Sequence, residues 1–341
     1  MSRLDPPPGF FARSLVFLAR KVLRLPSAPP ALDEIESVLV VRTDDRVGNA
    51  LLTIPLVRAL QSALPRARVD LLLAARRACV AEGLPNLRVL RFRRAAPPLL
   101  LRREYQVVID AAHWHAFSTT SALLSRWIAS RWVVGSQRGP AEIYSVAVPP
   151  PPDEVPEVTA KLLLARALGI DAPPPPMETA LGVGIASTVA GRFAALNPGA
   201  RKEDHRWPPA RFAALARGLP LRSVVFWGPG EEPLARAVVE ASAGAAELAP
   251  ATDLQELAAA FRAAALVVTN DTGPMHLAVA CGAPVLALFV DREGLRFAHP
   301  GPRFAAVVAE AGDAEVLAAA ARLLDSAARA GEPARSPEGL A

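Results

Sequence analysis

The feature that most constrains this chain is a regular alternation. Short, continuous apolar runs rich in valine and leucine are each followed by a stretch with helical spacing. Ser37–Thr43 (SVLVVRT) opens the series, and Val69–Leu73, Leu87–Phe92 and Gln106–Asp110 repeat it. Runs apolar on both faces suit the strands of a parallel sheet, whose crossovers are helices that cover it. Ser118–Ser130 reads as such a helix and Trp132–Gly135 as the next strand. Two proline clusters, residues 149–156 and 173–176, then interrupt the pattern, with a helix predicted over Glu157–Leu168 between them. Proline clusters make stiff extended spacers, so the domain junction is expected here. The alternation resumes with strands at Phe193–Leu196, Ser223–Trp227, Leu266–Thr269 and Pro284–Phe289. Helices are expected over Pro208–Leu219, Glu231–Ala243, Asp253–Ala264, Gly273–Cys281 and Asp313–Ala330. Two such arrays imply two doubly wound α/β domains that bind ligands at the carboxyl ends of their strands.

Composition supports this division. A length of 341 residues fits two domains of roughly 100–200 residues each. With 52% hydrophobic and 21% charged residues, the chain can build real cores and is not disordered. Cys79 and Cys281 lie far apart, without the spacing of a disulfide framework or a zinc site. No apolar run approaches the ~18 residues of a membrane span. The net charge of +5 comes from 38 basic and 33 acidic side chains, and only Lys21, Lys161 and Lys202 are lysines. The excess is uneven: residues 42–104 carry thirteen arginines against five acids, densest at Arg88, Arg91, Arg93, Arg94, Arg102 and Arg103. Aromatics are sparse and no nucleic-acid-binding signature accompanies the charge, so a nucleic-acid partner is not expected. A basic first domain suits an anionic partner on a membrane surface.

Residues 9–25 read as an amphipathic helix in which Phe11, Leu15, Leu18, Val22 and Leu25 recur at spacings of four and three. Arg13, Arg20, Lys21 and Arg24 remain polar, and the segment lacks the longer apolar centre of a secretory signal. It either lies on an anionic membrane or docks on the protein's own core.

The strongest chemical motif is Val267–Phe289, VVTNDTGPMHLAVACGAPVLALF. A buried strand ends in Asn270-Asp271-Thr272-Gly273, and Pro274 opens a helix carrying His276 in its first turn. The amides of Thr272, Gly273 and Met275 stand at a helix start, where free N–H groups and the dipole favour an anion. Helix capping alone would also explain Asp271 or Thr272.

With NPGARKEDHRWPPARFAALA (Asn197–Ala216), FWGPGEE (Phe226–Glu232) and RTDDRVGNALLTIPLVRAL (Arg42–Leu60), this motif resembles glycosyltransferase family 9. These are the ADP-heptose:lipopolysaccharide heptosyltransferases and their relatives. The resemblance runs over about residues 37–300. It implies a GT-B architecture, two Rossmann-like doubly wound domains facing a cleft. The acceptor domain would be residues 37–155 and the donor domain 156–330, with a leader at 1–36 and a flexible tail at 331–341. It further implies inverting, metal-independent glycosyl transfer without a cofactor, the nucleotide sugar serving as co-substrate. The lack of any Asp-x-Asp agrees with the absence of a metal. Asp271, Thr272, Gly273 and His276 then match the donor-phosphate turn and its helical histidine. Glu231 matches a glutamate near the nucleoside, where a carboxylate can bond ribose hydroxyls.

Two departures stand out. The position of the family's catalytic aspartate is Asn49, an amide that cannot take a proton. The loop is one residue longer, so Asp45, or less favourably Asp44, is the candidate base, unless both merely cap the turn. The family's lysine before the Trp-Pro pair is His205 here, leaving Arg201 and Lys202 to supply positive charge. Arg46, Arg91, Arg94, His113 and His115 are expected acceptor contacts, with Trp114 divided between that role and core packing. Trp207 and Pro208 read as a structural helix start. The expected partners are a nucleotide sugar, a lipopolysaccharide-like anionic glycolipid and the inner face of the inner membrane. The alternatives are a donor-binding homologue without turnover and a family member using another sugar. A nicotinamide-dependent dehydrogenase is disfavoured by the lack of a G-x-G-x-x-G fingerprint.

Overall fold

The computed structural model describes residues 10–26, 29–93, 95, 101–112, 114 and 117–331. Arg94, His113, His115 and most of the tail lie outside the described residues. The chain divides into two compact units, Met1–Ala180 and Leu181–Ala341.

The first unit begins with α1 (Phe10–Val22), then β1 (Ser37–Arg42), α2 (Val47–Leu51), α3 (Ile54–Ala63), β2 (Arg68–Ala74) and β3 (Arg88–Phe92). It continues through β4 (Tyr105–Asp110), α4 (Thr119–Ile128), β5 (Ala129–Ser136), β6 (Val146–Val148) and α5 (Glu157–Arg166). Its six strands are parallel, in the order β3-β2-β1-β4-β5-β6. Val38 to Val41 are fully buried on both faces, which is why the run reads as continuously apolar. The single helix expected after β1 is two, broken at Leu52–Thr53, with Pro55 in the first turn of α3.

The second unit contains β7 (Phe193–Asn197), α6 (Pro209–Gly218), β8 (Arg222–Val225), α7 (Glu232–Ala241), β9 (Ala246–Leu248) and α8 (Leu254–Ala263). After these come β10 (Leu266–Asn270), α9 (Gly273–Ala280), β11 (Val285–Phe289), β12 (Phe304–Val308) and α10 (Asp313–Gly331). Its sheet, also six-stranded and parallel, has the order β12-β11-β10-β7-β8-β9. Helix α8 starts in a capping box. The Asp253 carboxylate accepts from the Glu256 amide, and Glu256 accepts from the Asp253 amide, both at 2.9 Å.

Both sheets share one topology, the doubly wound α/β order in which the winding reverses beside the first strand. The reversal falls between β1 and β4 in one unit and between β7 and β10 in the other. Loops leaving the carboxyl ends of adjacent strands diverge there, opening a crevice.

The division into units falls at Ala180/Leu181, after the expected junction at 155/156. Helix α5 belongs to the first unit because it is pinned there by a buried cation. The Lys161 ammonium, 1% exposed, donates to the carbonyls of Ala111 (3.0 Å) and Ala112 (2.8 Å), just past β4. It also pairs with Glu157 at 3.2 Å. Burial pulls its pKa down to about 8, against the favourable pull of Glu157. Farther on, Thr179 bonds the Val80 carbonyl at 2.7 Å, and Arg58 pairs with Glu178. Replacing Lys161 by alanine would leave two carbonyls and a carboxylate buried without their cation. Lys161→Ala should therefore lower unfolding free energy by about 3 kcal/mol in urea titrations. The exposed Lys202→Ala should change it by less than about 0.5 kcal/mol.

Candidate functional site

In the second unit the β7/β10 crevice is organised by side-chain amides. Asn270 is fully buried at the end of β10, and its Nδ2 donates to the Pro198 carbonyl after β7 at 2.7 Å. Its Oδ1 accepts from the Trp207 amide at 3.1 Å, while the Trp207 indole donates to the Phe289 carbonyl at 3.0 Å. The Arg211 guanidinium lies 3.8 Å over the indole. Trp207 is thus a buried strut.

The residues beyond Asn270 form the helix start. Thr272 is the extended N-cap of α9, and its side chain makes no capping bond. The amides of Thr272 and Gly273 lie where a helix has no acceptors of its own. The Met275 amide is committed, donating to the Thr272 carbonyl at 3.0 Å, and its side chain is fully buried. Of the three amides expected to face an anion, those of Thr272 and Gly273 are the ones not bonded within the turn. Asp271 lies beside the 291–297 turn, and burial pushes its carboxyl up to about 7. Arg296 opposes that rise and Asp291 adds to it.

His276 is buried, and its Nδ1 lies 2.8 Å from Nε2 of His299, which is buried as well. The rings meet edge to face, their centroids 5.0 Å apart. One nitrogen donates and the other accepts. Burial pulls His276 well below its ordinary value and His299 down to about 4, so both are neutral at pH 7. His276 therefore serves as a neutral, positioned ring and not as a cation. His299 escaped the sequence reading because no motif surrounds it, although it is one of only five histidines.

Glu231 spans two turns. Its carboxylate accepts from the Gly228 amide at 3.2 Å and lies against Gly199, where any Cβ would overlap it. Gly199 is therefore required for the close approach of the β7 turn to Glu231. Arg206, unremarked in sequence, donates to the Ala200 carbonyl at 2.7 Å and approaches Glu231 at 3.9 Å. Arg201 and Lys202 are exposed, and among the described residues no carboxylate pairs with either. His205 lies 4.0 Å from Asp204 on the same turn.

In the first unit the β1/β4 crevice is held by cations. Arg42, 2% exposed, donates to the Ala111 carbonyl and pairs with Asp44. Asn49 donates to the other Asp44 oxygen at 2.7 Å. Asp45 turns toward Arg77 beyond β2, 2.8 Å away, and is half exposed. Arg46 is exposed at the start of α2. Arg91 lies on the edge strand β3 with two bonds to Glu82, at 2.7 and 2.9 Å, so its charge is largely answered. Trp114 is buried with Lys161 5.6 Å from its ring, which makes it a packing residue. Asp110, buried at the end of β4, accepts from Ser121 (2.7 Å) and Tyr144 (2.8 Å), and burial raises its pKa.

The second unit thus brings together unpaired amides at a glycine-opened helix start, a carboxylate beside two glycines and exposed cations, features suited to a phosphorylated ligand. The sequence model of glycosyltransferase family 9 (heptosyltransferase) matches residues 93–319, two thirds of the chain, and the chain belongs to that family of nucleotide-sugar-dependent transferases. Its fold is similar to that of E. coli heptosyltransferase WaaC with ADP, at 23% identity and TM-score 0.64, covering 81% of this chain and 94% of that one. It also resembles a family 9 glycosyl transferase from Veillonella parvula DSM 2008 (19%, TM-score 0.70, 87% and 99% covered). A third likeness is to E. coli ADP-heptose lps heptosyltransferase II (18%, TM-score 0.66, 84% and 98% covered). At these identities the likeness is one of fold. No curated protein matches the chain at a significant level.

The histidine pair makes acid stability a direct readout. His299 binds its proton at about pH 4 when folded, against 6.5 ordinarily, so the unfolded chain takes up protons first as the pH falls. Stability is complete above about 6.5 and declines below it. Between pH 6.5 and 5 this one group should cost about 1.5 kcal/mol. His299→Gln should flatten that part of the urea-derived stability profile, and an unchanged slope would contradict the assignment.

Proposed function

We propose that this chain moves a heptose from ADP-heptose onto an anionic glycolipid of the lipopolysaccharide type, with inversion at the anomeric carbon. The second unit holds the donor and the first presents the acceptor. The observation that carries the reading is the start of α9, where two free amides adjoin a carboxyl that burial keeps half neutral near pH 7. The ADP in the WaaC structure, and the ADP-2-deoxy-2-fluoro heptose in another of the same enzyme, support adenine in the donor. Glu231, held between Gly199 and Gly228, is placed to accept from ribose hydroxyls.

In this reading the acceptor oxygen attacks the anomeric carbon opposite the diphosphate. The bond from that carbon to the phosphate oxygen breaks, and its electron pair leaves on ADP. The Thr272 and Gly273 amides, with Arg201 and Lys202, meet the charge that grows there. The acceptor proton goes to a carboxylate. Asp44 takes this role in preference to Asp45, because its carboxylate lies 2.7 Å from the Asn49 amide and is anchored at the β1/β4 reversal by Arg42. Asp45 leans away toward β2. Among the described residues no helix is long and apolar enough to cross a membrane. In this reading the lipid acceptor is met at the inner face of the inner membrane.

ADP-heptose should raise the melting temperature above the shifts from GDP-, UDP- and CMP-sugars, and should release ADP when a lipopolysaccharide-core acceptor is added. Asp44→Asn should lower kcat by about 10²–10⁴-fold with ADP affinity unchanged, and Asp45→Asn by less than about tenfold. Stabilisation by a non-adenine sugar alone would sink the heptose reading, and binding without ADP release would mark a homologue that has lost turnover.

Asp271 adds a pH signature. Protonated, it donates to a phosphate oxygen; ionised above about pH 7, it repels the diphosphate. ADP affinity should fall by roughly tenfold as the pH rises from about 6 to 8. In Asp271→Asn, calorimetry should show only the dependence that ADP's own titration imposes. Parallel profiles would contradict the assignment.

A further inference from the structure

Helix α1 docks on the first unit by its less apolar side. Val16 and Leu23, seven residues apart, are 2% and 7% exposed, and Val16 enters the core beside Tyr105, Ala122 and Ile143. The connection is fixed from below: Arg126 donates to the Leu23 carbonyl at 2.8 Å and Arg103 to that of Arg24 at 3.0 Å. The apolar stripe turns the other way. Leu15, Leu18 and Val22, spaced to share one helix face, are 47%, 58% and 65% exposed, and Phe17, on another side of the helix, is 60% exposed. A stripe that would normally seat a helix on its protein therefore faces outward.

The charges on this helix have one sign. The helix contains Arg13, Arg20 and Lys21 and no acidic residue, and Arg24 follows it. Arg13 and Arg20 line a cavity of about 420 Å³ with Val16, Phe17, Pro140 and Glu142. Among the described residues no carboxylate forms an ion pair with either arginine. Lys21 lies 4.6 Å over the Phe17 ring and is exposed.

We propose that this outward face of α1 is a docking surface for an anionic phospholipid bilayer. Leu15, Leu18 and Val22 enter the acyl boundary, while Arg13, Arg20, Lys21 and Arg24 give the helix its attraction to anionic headgroups. Charge complementarity selects this occupant. A second copy of the same helix would bring its arginines against these. The inference extends the glycolipid reading of the acceptor but stands on a different surface from the donor site.

The test is sedimentation of the full chain with vesicles of phosphatidylglycerol and phosphatidylcholine, against phosphatidylcholine alone. The protein should sediment with the anionic vesicles and be released as salt is raised. Leu18→Gln with Val22→Gln should lower partitioning by about tenfold or more, and Arg13→Gln with Arg20→Gln should remove most of the preference for phosphatidylglycerol. Both pairs are exposed, so the melting temperature should stay unchanged. No sedimentation of the native chain, or equal sedimentation of the leucine–valine variant, would overturn the proposal. So would a dimer in light scattering that the same substitutions dissociate. ADP binding measured in parallel separates the two readings. Lost vesicle binding with ADP binding intact overturns the docking surface alone, and the converse overturns the donor site alone.

Discussion

One buried amide carries the geometry of the second unit. Asn270 has no water to turn to, so its side chain must find protein partners or cost stability. It finds the Pro198 carbonyl and the Trp207 amide, each on a separate turn. Trp207 then reaches Phe289 at the end of β11. The turns after β7, β10 and β11 are thereby fixed to one another before any ligand arrives. The α9 amides, Asp271 and the Gly199–Glu231 contact all depend on those turns. A site that must meet a growing charge within a fraction of an ångström needs this rigidity in its supporting residues.

The first unit fixes the equivalent turns with cations. Arg42 and Lys161 converge on the Ala111 carbonyl, and Asp44 and Glu157 answer them from either side. Breaking such a group strands a charge, so it is costly to alter and specifies one arrangement. It also fixes the direction of Asp44, the base of the proposed reaction. The acceptor hydroxyl becomes acidic only as it bonds to the sugar carbon, so position matters more than basicity. Asn49, which cannot accept the proton, donates a hydrogen bond that fixes where Asp44 points.

The sequence shows most of the secondary structure because buried parallel strands are apolar on both faces and helices are not. Runs such as Val38–Val41 and Val285–Phe289 are legible for that reason. Strands β6, β9 and β12 are not, because they are sheet edges, short or half exposed, and built of alternating small residues. The division after Ala180 is not legible, because proline clusters mark stiff chain, not a change of partner. Only the burial of Lys161 shows which core claims α5. In the site, the turn into α9 was legible as a turn because its geometry is local. His299, Arg206 and the Asp44–Asn49 bond were not. Each depends on residues that the fold brings together across a turn or between elements. The leader's apolar stripe was legible as a stripe, but its outward direction follows from Val16 and Leu23, which the spacing pattern omits.

Charge in the proposed donor crevice is divided by burial. The groups inside it, Asp271, His276 and His299, are held toward neutrality, while Arg201 and Lys202 stay on the exposed turn. This division suits a site that is empty for part of every cycle. A cation buried to await a diphosphate would have to be desolvated in the empty state, at a cost of several kcal/mol. A cation left in water avoids that cost and gains strength only when the ligand displaces the solvent around it. The helix amides do the same without net charge, because their dipoles are set by the backbone and need no reorganisation. A diphosphate held this way is gripped firmly while charge builds on it. Once the sugar has left, it can exchange back into water through groups that are already solvated.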